Sequence, residues 1–368
     1  MRRRTMLGTL GASVLIAAAV LPAAPAGAAA NAWTPVAVPD PTAQFASLQA
    51  VDALTNTDAW AVGYVSPPTG GGSQPIALHW NGTAWSATSV PLLGKSTTLW
   101  GVSAASASDV WAVGTFTLPG YRGASLAAAL HWNGNTWIAS TVPNSGILFG
   151  VVTITPTNAW AVGGGGVKHW DGIAWSDVTT PAPSPTSAGS LHAISARAWN
   201  DIWAVGSYAP RRHQTASFSL HFDGTAWSLV PMPAGSTIPW GVAASGSNDA
   251  WAVGEDDTVV GSTQPLTEHW NGTAWSIVPS PSRPNGGYLR SVSARGPNDV
   301  WAVGPSFTGD ANSIQALFLH WTGNTWASEL SPVADSDDVS AVSARAGVTS
   351  TWAVGDTQPG VELILERH

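Results

Sequence analysis

The chain contains no cysteine among its 368 residues. Disulfide stapling, thiol catalysis, thiolate metal sites, lipid attachment to an N-terminal cysteine and cysteine-linked copper radical chemistry are all excluded. Lysine is almost as scarce, with only Lys95 and Lys168 in a chain of formal net charge −8. A polyphosphate partner needs a basic stripe to displace its counterions, and this composition supplies none. Nucleic acid is therefore not an expected partner, and neither is an anionic membrane surface. No stretch carries a sustained helical period, and no long apolar run follows residue 21.

What is present begins with a leader. Arg2, Arg3 and Arg4 form a basic start, Met6 to Leu21 is apolar and alanine-rich, and small residues with A-x-A sites reach Ala30. Residues 1–30 read as an export signal too short to anchor a membrane protein, with Arg3-Arg4-Thr5-Met6-Leu7 also resembling a twin-arginine motif. Its removal takes away three arginines and no acids, so the formal charge of −8 becomes −11. The expectation is a secreted, extracellular and monomeric protein. Its single domain, 31–368, has to draw its stability from core burial.

The rest of the chain repeats. Trp-Ala-Val-Gly begins at Trp60, Trp111, Trp160, Trp203, Trp251, Trp301 and Trp352, at spacings of 51, 49, 43, 48, 50 and 51 residues. Each copy follows a Leu-x-Gly-Val-Ser-Ala segment and precedes a third element such as Leu78-His79-Trp80-Asn81-Gly82-Thr83-Ala84-Trp85. Turn pairs of the Asn-Asp or Asn-Gly type separate the segments, and Asn-Gly between β-rich runs suggests a type I′ hairpin. Each unit therefore reads as a four-stranded antiparallel meander, and seven such units near fifty residues read as an all-β, seven-bladed β-propeller. The last unit stops at His368, where its third strand should end, whereas Asn31–Val36 matches a fourth strand. The N-terminal segment is thus expected to complete the last blade and close the ring, satisfying two strand edges that would otherwise be open.

The 22 tryptophans fit this assignment. Seven lie in Trp-Ala-Val-Gly, seven open the fourth strand and five end the third, where Phe222 and Arg367 replace the other two; Trp100, Trp199 and Trp240 remain. In the second strand Trp and Val share one face and Ala and Gly the other, so the bulky face of one blade can press on the small face of its neighbour. Trp199 falls in a turn of the uniform rim.

These elements resemble the Trp-Ala-Val-Gly/His-Trp-Asn-Gly-Thr repeats of secreted bacterial propeller proteins, and loosely the Asp-box and Kelch-type propellers. The first resemblance covers nearly all of 31–368 and implies the fold rather than an activity. The Asp-box likeness departs where it matters, because Trp80 stands at the aspartate position and Leu78 at the serine position. Sialidase chemistry would also need an arginine cluster with a Tyr/Glu pair, and only four tyrosines exist.

Six histidines recur once per blade (His79, His131, His169, His221, His269 and His320), so they cannot converge on one metal. Asp58, Asp109, Asn158, Asp201, Asp249 or Asp299 lies two residues before each Trp-Ala-Val-Gly tryptophan. We expect each pair to share a buried hydrogen-bond network, replaced in the last blade by Ser350 and Glu366. Asn81 and Asn271 match a glycosylation acceptor but are explained by their turns. The acidic runs Glu255–Asp257 and Asp335–Asp338 lack calcium-ligand spacing. No cofactor or metal is expected.

Function should lie where the repeats disagree. Connections from strand two to three and from blade to blade are long, divergent and on one face. The residue after the leading Leu of the innermost strand also varies between blades: Gln49, Trp100, Phe149, His192, Trp240, Arg290 and Ser340. Aromatic and polar groups mixed at a channel mouth suit a sugar or peptide, and Tyr121 and Tyr208 from the loops join the candidate ligand-binding set. Alternatively, these residues merely plug the channel. The sequence supports a non-catalytic binding or interaction module, possibly of lectin type, with an extracellular glycan or protein as ligand. The alternative is a polysaccharide hydrolase or lyase on the same face, for which no diagnostic acid–base spacing is found.

Overall fold

The computed structural model describes residues 32–368 apart from 40–44, 68–69, 121–124, 144–145, 188, 212–213, 236, 259–261, 310–313, 330, 333–336 and 358–359. The leader and Tyr121 lie outside the described residues. The described chain forms seven four-stranded antiparallel sheets. The first blade shows the pattern: inner strand Phe45–Thr55, then Asp58–Ser66, Gln74–Trp80 and outer strand Trp85–Thr88. Six sheets are sequential meanders; the seventh takes its outer strand, Thr34–Pro35, from the start of the domain. Thr34 faces Glu366 and Pro35 faces Leu365, and the Val36 amide donates to the Ile364 carbonyl at 2.9 Å. The ring closes as the chain ends suggested. Proline suits this outermost position, where no further ladder bond is required.

The core is a chain of blade–blade interfaces. Each Trp-Ala-Val-Gly indole is at most 6 % exposed, and six of the seven receive two rings from the following blade. Trp60 meets Trp132 at 5.1 Å and Trp137 edge-on at 5.4 Å, and Trp111 meets Trp170 and Trp175, both at 4.9 Å. At the closure, Trp352 of blade seven meets Trp80 and Trp85 of blade one. Between blades six and seven, the Arg367 guanidinium stands 4.5 Å from the Trp301 ring centroid in the place of the missing indole, while Trp33 packs edge-on at 5.3 Å. The substitution thus keeps the stack through a cation–π contact. Burying one such indole removes about 150–250 Å² of surface, roughly 4–6 kcal/mol gross.

The structure alters three details of the sequence reading. The glycine of Trp-Ala-Val-Gly is required within its own blade: a Cβ on Gly63, Gly114 or Gly206 would collide with the inner-strand carbonyl of Ser47, Thr98 or Ser190. The Asn-Gly turn is a four-residue loop rather than a type I′ hairpin. The Asn81 side-chain oxygen accepts from the Thr83 and Ala84 amides at 2.9 and 3.0 Å, while Gly82 takes φ 90°. The histidine pairs form as expected but are half-buried rather than buried, with His side chains 18–29 % exposed in the five Asp-paired blades. His131 Nε2 lies 2.6 Å from Asp109 Oδ1 and its ring stacks on Trp111 at 4.6 Å. In blade seven Ser350 donates to Glu366 at 2.7 Å in their place.

The recurrent Ser of the inner strand has a role not read from the sequence. Ser103 Oγ accepts from the Thr153 amide, Ser195 from Ala244, Ser293 from Ala344 and Ser343 from Ala53, at 2.9–3.2 Å. Asp52 does the same for Ala104 at 2.8 Å. These bonds tie successive inner strands together around the channel.

Candidate ligand-binding site

In six of the seven blades the variable position of the inner strand turns out to be a β-bulge. In blade two Leu99 faces Gly114 and Gly101 faces Val113, so Trp100 is an extra residue between them. Gln49, Phe149, His192, Trp240 and Ser340 are inserted in the same way. Arg290 occupies the corresponding place immediately before its strand, its amide donating to the Val303 carbonyl at 2.8 Å. A bulge kinks the strand and re-aims one side chain. The result is convergence: all seven residues line one bowl of about 840 Å³ at the channel mouth.

Ser47, Tyr64, Tyr288, Asp338 and Asp356 join them and were missed by the sequence reading. Their signal was available. Ser47, Tyr288 and Asp338 each precede the variable residue by two, on the same face of the strand, and Tyr64 and Asp356 directly follow the Trp-Ala-Val-Gly glycine. Tyr208 does not join the bowl. It packs edge-on against Phe218 at 6.1 Å and borders a separate depression with Gly189 and Ser207. Trp199 is 58 % exposed on the opposite rim.

The bowl has an aromatic side and a polar side. His192 stacks on Trp240 with ring centroids 4.4 Å apart and planes 22° apart, and Phe149 meets His192 edge-on at 6.2 Å. Trp100 and Tyr64 follow at 6.4 Å. His192 Nδ1–H donates to the Pro239 carbonyl at 2.9 Å. Burial lowers its pKa and outweighs that bond, so at neutral pH the ring is an uncharged imidazole with Nε2 as acceptor. In the blade after Trp240 stands Arg290, ion-paired with Asp338 and bonded to the Tyr288 hydroxyl at 2.9 Å. Burial opposes its charge, but Asp338 and Tyr288 prevail and hold it above its ordinary value. Asp356 faces Asp338 across the ladder and accepts from Ser47 Oγ at 2.5 Å. Burial raises the Asp356 pKa against the Ser47 bond, and the Asp338 charge adds to the rise.

The other end of the channel differs. Its cavity of about 530 Å³ is lined by Arg197, Arg295 and Arg345. Arg197 and Arg295 pair with Asp201 and Asp299 at 2.7 and 2.6 Å, so these cations belong to the scaffold. Among the described residues no group of three or more His, Asp or Glu is placed to hold a metal, and no helix is long and apolar enough to cross a membrane. Asp256 accepts from the Thr258 amide at 2.8 Å and so shapes its own turn.

No protein-family model and no curated protein sequence matches the chain. Solved structures do. YCF48 bound to a D1 peptide aligns at 13 % identity over 93 % of this chain and 98 % of its own, with TM-score 0.59. A GH74 xyloglucanase from Xanthomonas campestris aligns at 16 % identity over 89 % and 54 %, with TM-score 0.58. A PL25 ulvan lyase bound to a GlcA(1-4)Rha3S chain aligns at 10 % identity over 85 % and 90 %, with TM-score 0.53. The fold is a seven-bladed propeller. At these identities the likeness is one of architecture alone, and the site has to be read from its own residues.

Proposed function

We propose that the chain is an exported, monomeric, non-catalytic binding module that takes a saccharide in the bowl at its channel mouth. One observation carries this reading: the variable inner-strand position of all seven blades, a bulge in six of them, delivers its side chain into one cavity. There the His192–Trp240 stack and Trp100 share the lining with the Arg290–Asp338 pair. Flat aromatic faces suit the apolar face of a sugar ring, and a few fixed donors and acceptors suit its hydroxyls. The leader and the likeness to repeats of secreted propellers support export. Support for the ligand class comes from the xyloglucanase and from the lyase with its bound saccharide; the peptide-bound YCF48 makes a protein ligand the main competitor.

A glycan array probed with the mature protein, Trp100→Ala and Trp240→Ala tests the reading. Binding by the mature protein, lost at least tenfold in both variants without product formation, is the expected result. Cleavage of a bound polysaccharide would make the protein a hydrolase or lyase instead. Binding unchanged by both substitutions would place the ligand outside the bowl.

A further inference from the structure

Resting on the saccharide reading, we infer that the bowl selects saccharides without carboxylate or sulfate groups, and that Asp338, with Asp356, is the residue that excludes acidic ones. Among the described residues the bowl is lined by one cation, Arg290, and two carboxylates, Asp338 and Asp356. Its histidine, His192, is held uncharged by burial. An acidic sugar would have to be recognised by Arg290, but that guanidinium is already engaged. Nη1 serves Asp338 and lies 3.5 Å from Ser340 Oγ, Nη2 donates to Tyr288 at 2.9 Å, and the plane sits 5.3 Å from the Tyr288 ring centroid. Taking a ligand carboxylate bidentately would mean displacing Asp338. Asp338 has nowhere better to go, because its Oδ1 is buried without a hydrogen-bond partner and Asp356 faces it across the ladder.

A ligand anion therefore meets a filled guanidinium and, in Asp356, a second carboxylate that the guanidinium does not pair with. Uncharged hydroxyls meet no such barrier: Gln49, Ser47 and Ser340 offer neutral groups, and Gln49 is held by a 2.7 Å bond to Ser47. The exclusion is a repulsive element of the kind that sets specificity alongside attraction. Arg290 and Asp338 act here as a specificity pair, with Asp338 the member that can be removed without losing the aromatic platform.

The test is a gain of binding, which a damaged fold cannot mimic. Oligosaccharides of neutral hexoses and of galacturonate, matched in length, are titrated by calorimetry at pH 7 and low salt into the wild-type mature protein, Asp338→Asn and Asp338→Asn/Asp356→Asn. Each charge removed within about 7 Å of the ligand is worth roughly tenfold in affinity at an effective dielectric near 40. The wild type should bind the neutral series only. Asp338→Asn, freeing Arg290, should improve galacturonate binding about tenfold relative to neutral sugar, and the double variant further. Equal wild-type affinity for both series would overturn the selection while leaving the binding reading intact. So would no gain for galacturonate in either variant. Failure of every saccharide to bind the wild type would overturn the binding reading and this inference together.

Discussion

Glu268 is the sharpest test of how this scaffold is held together. It sits at the third-strand position that carries Leu78, Leu130, Leu220, Leu319 and Leu365 in five other blades, and it is 0 % exposed with neither carboxyl oxygen hydrogen-bonded. Burial, reinforced by Asp256, raises its pKa to about 8 from an ordinary value near 4.5. The folded protein thus holds a proton that the unfolded chain releases above pH 4.5. A raised carboxyl pKa means stability present at low pH and lost as pH climbs from about 4.5 to about 8. At 1.36 kcal/mol per unit, the loss by pH 7 is on the order of 3 kcal/mol. Glu268→Gln removes the titration and keeps the shape; Glu268→Leu restores the residue of the other blades. Melting temperatures of the mature protein and both variants from pH 4.5 to 8.5 give the comparison. Both variants should gain on the wild type as pH rises, by about 5 °C at pH 7, with the difference shrinking towards pH 4.5 for Gln. Parallel pH profiles for wild type and Glu268→Gln would refute the reasoning, since every other titrating group is common to the two.

Two further substitutions probe the repeat and the closure. His131→Ala should lower stability by about 2 kcal/mol, because it removes both the 2.6 Å bond to the buried Asp109 and the stack on Trp111. An unchanged melting temperature would remove the structural role. Trp33→Ala should cost about 3–5 kcal/mol, since this indole fills the seam against Trp301 and Phe318 where the ends meet. The accompanying sign is early amide exchange in Val361–Arg367, the strand it secures; protection there equal to that of the other third strands would count against the closure as a point of weakness.

The architecture was legible because each repeated signal has one dominant physical cause. Trp-Ala-Val-Gly recurs at a fixed spacing because its indole is the knob of every interface, and the mismatch between Asn31–Val36 and His368 revealed the closure because a missing strand leaves a countable gap. The site was half legible. Gln49, Trp100, Phe149, His192, Trp240 and Arg290 stood out by varying where their neighbours do not, yet what unites all but Arg290 is a bulge, and a one-residue insertion repeated from copy to copy leaves no irregularity to notice. Asp338 and Asp356 were hidden for a different reason. The first lay within an acidic run that reads as solvated loop, and only the ladder sets it opposite the second. Tyr208 shows the converse error: proximity in a variable loop does not aim a side chain, and this one turns onto Phe218. Glu268 is hidden too, because a charged residue stands in a leucine position and nothing in the local pattern announces its burial.

The bulge also decides how freely this surface can change. A bulged residue is left out of the ladder pairing, so the sheet's register does not depend on which side chain it carries. Six such positions, with Arg290 at the corresponding place in the remaining blade, can be exchanged while the tryptophan interfaces stand unaltered, and the energetic effects of distant exchanges should add. The molecule is in this sense a fixed frame with seven interchangeable fingertips. Redirecting it to a new ligand becomes a problem of seven residues rather than of a fold.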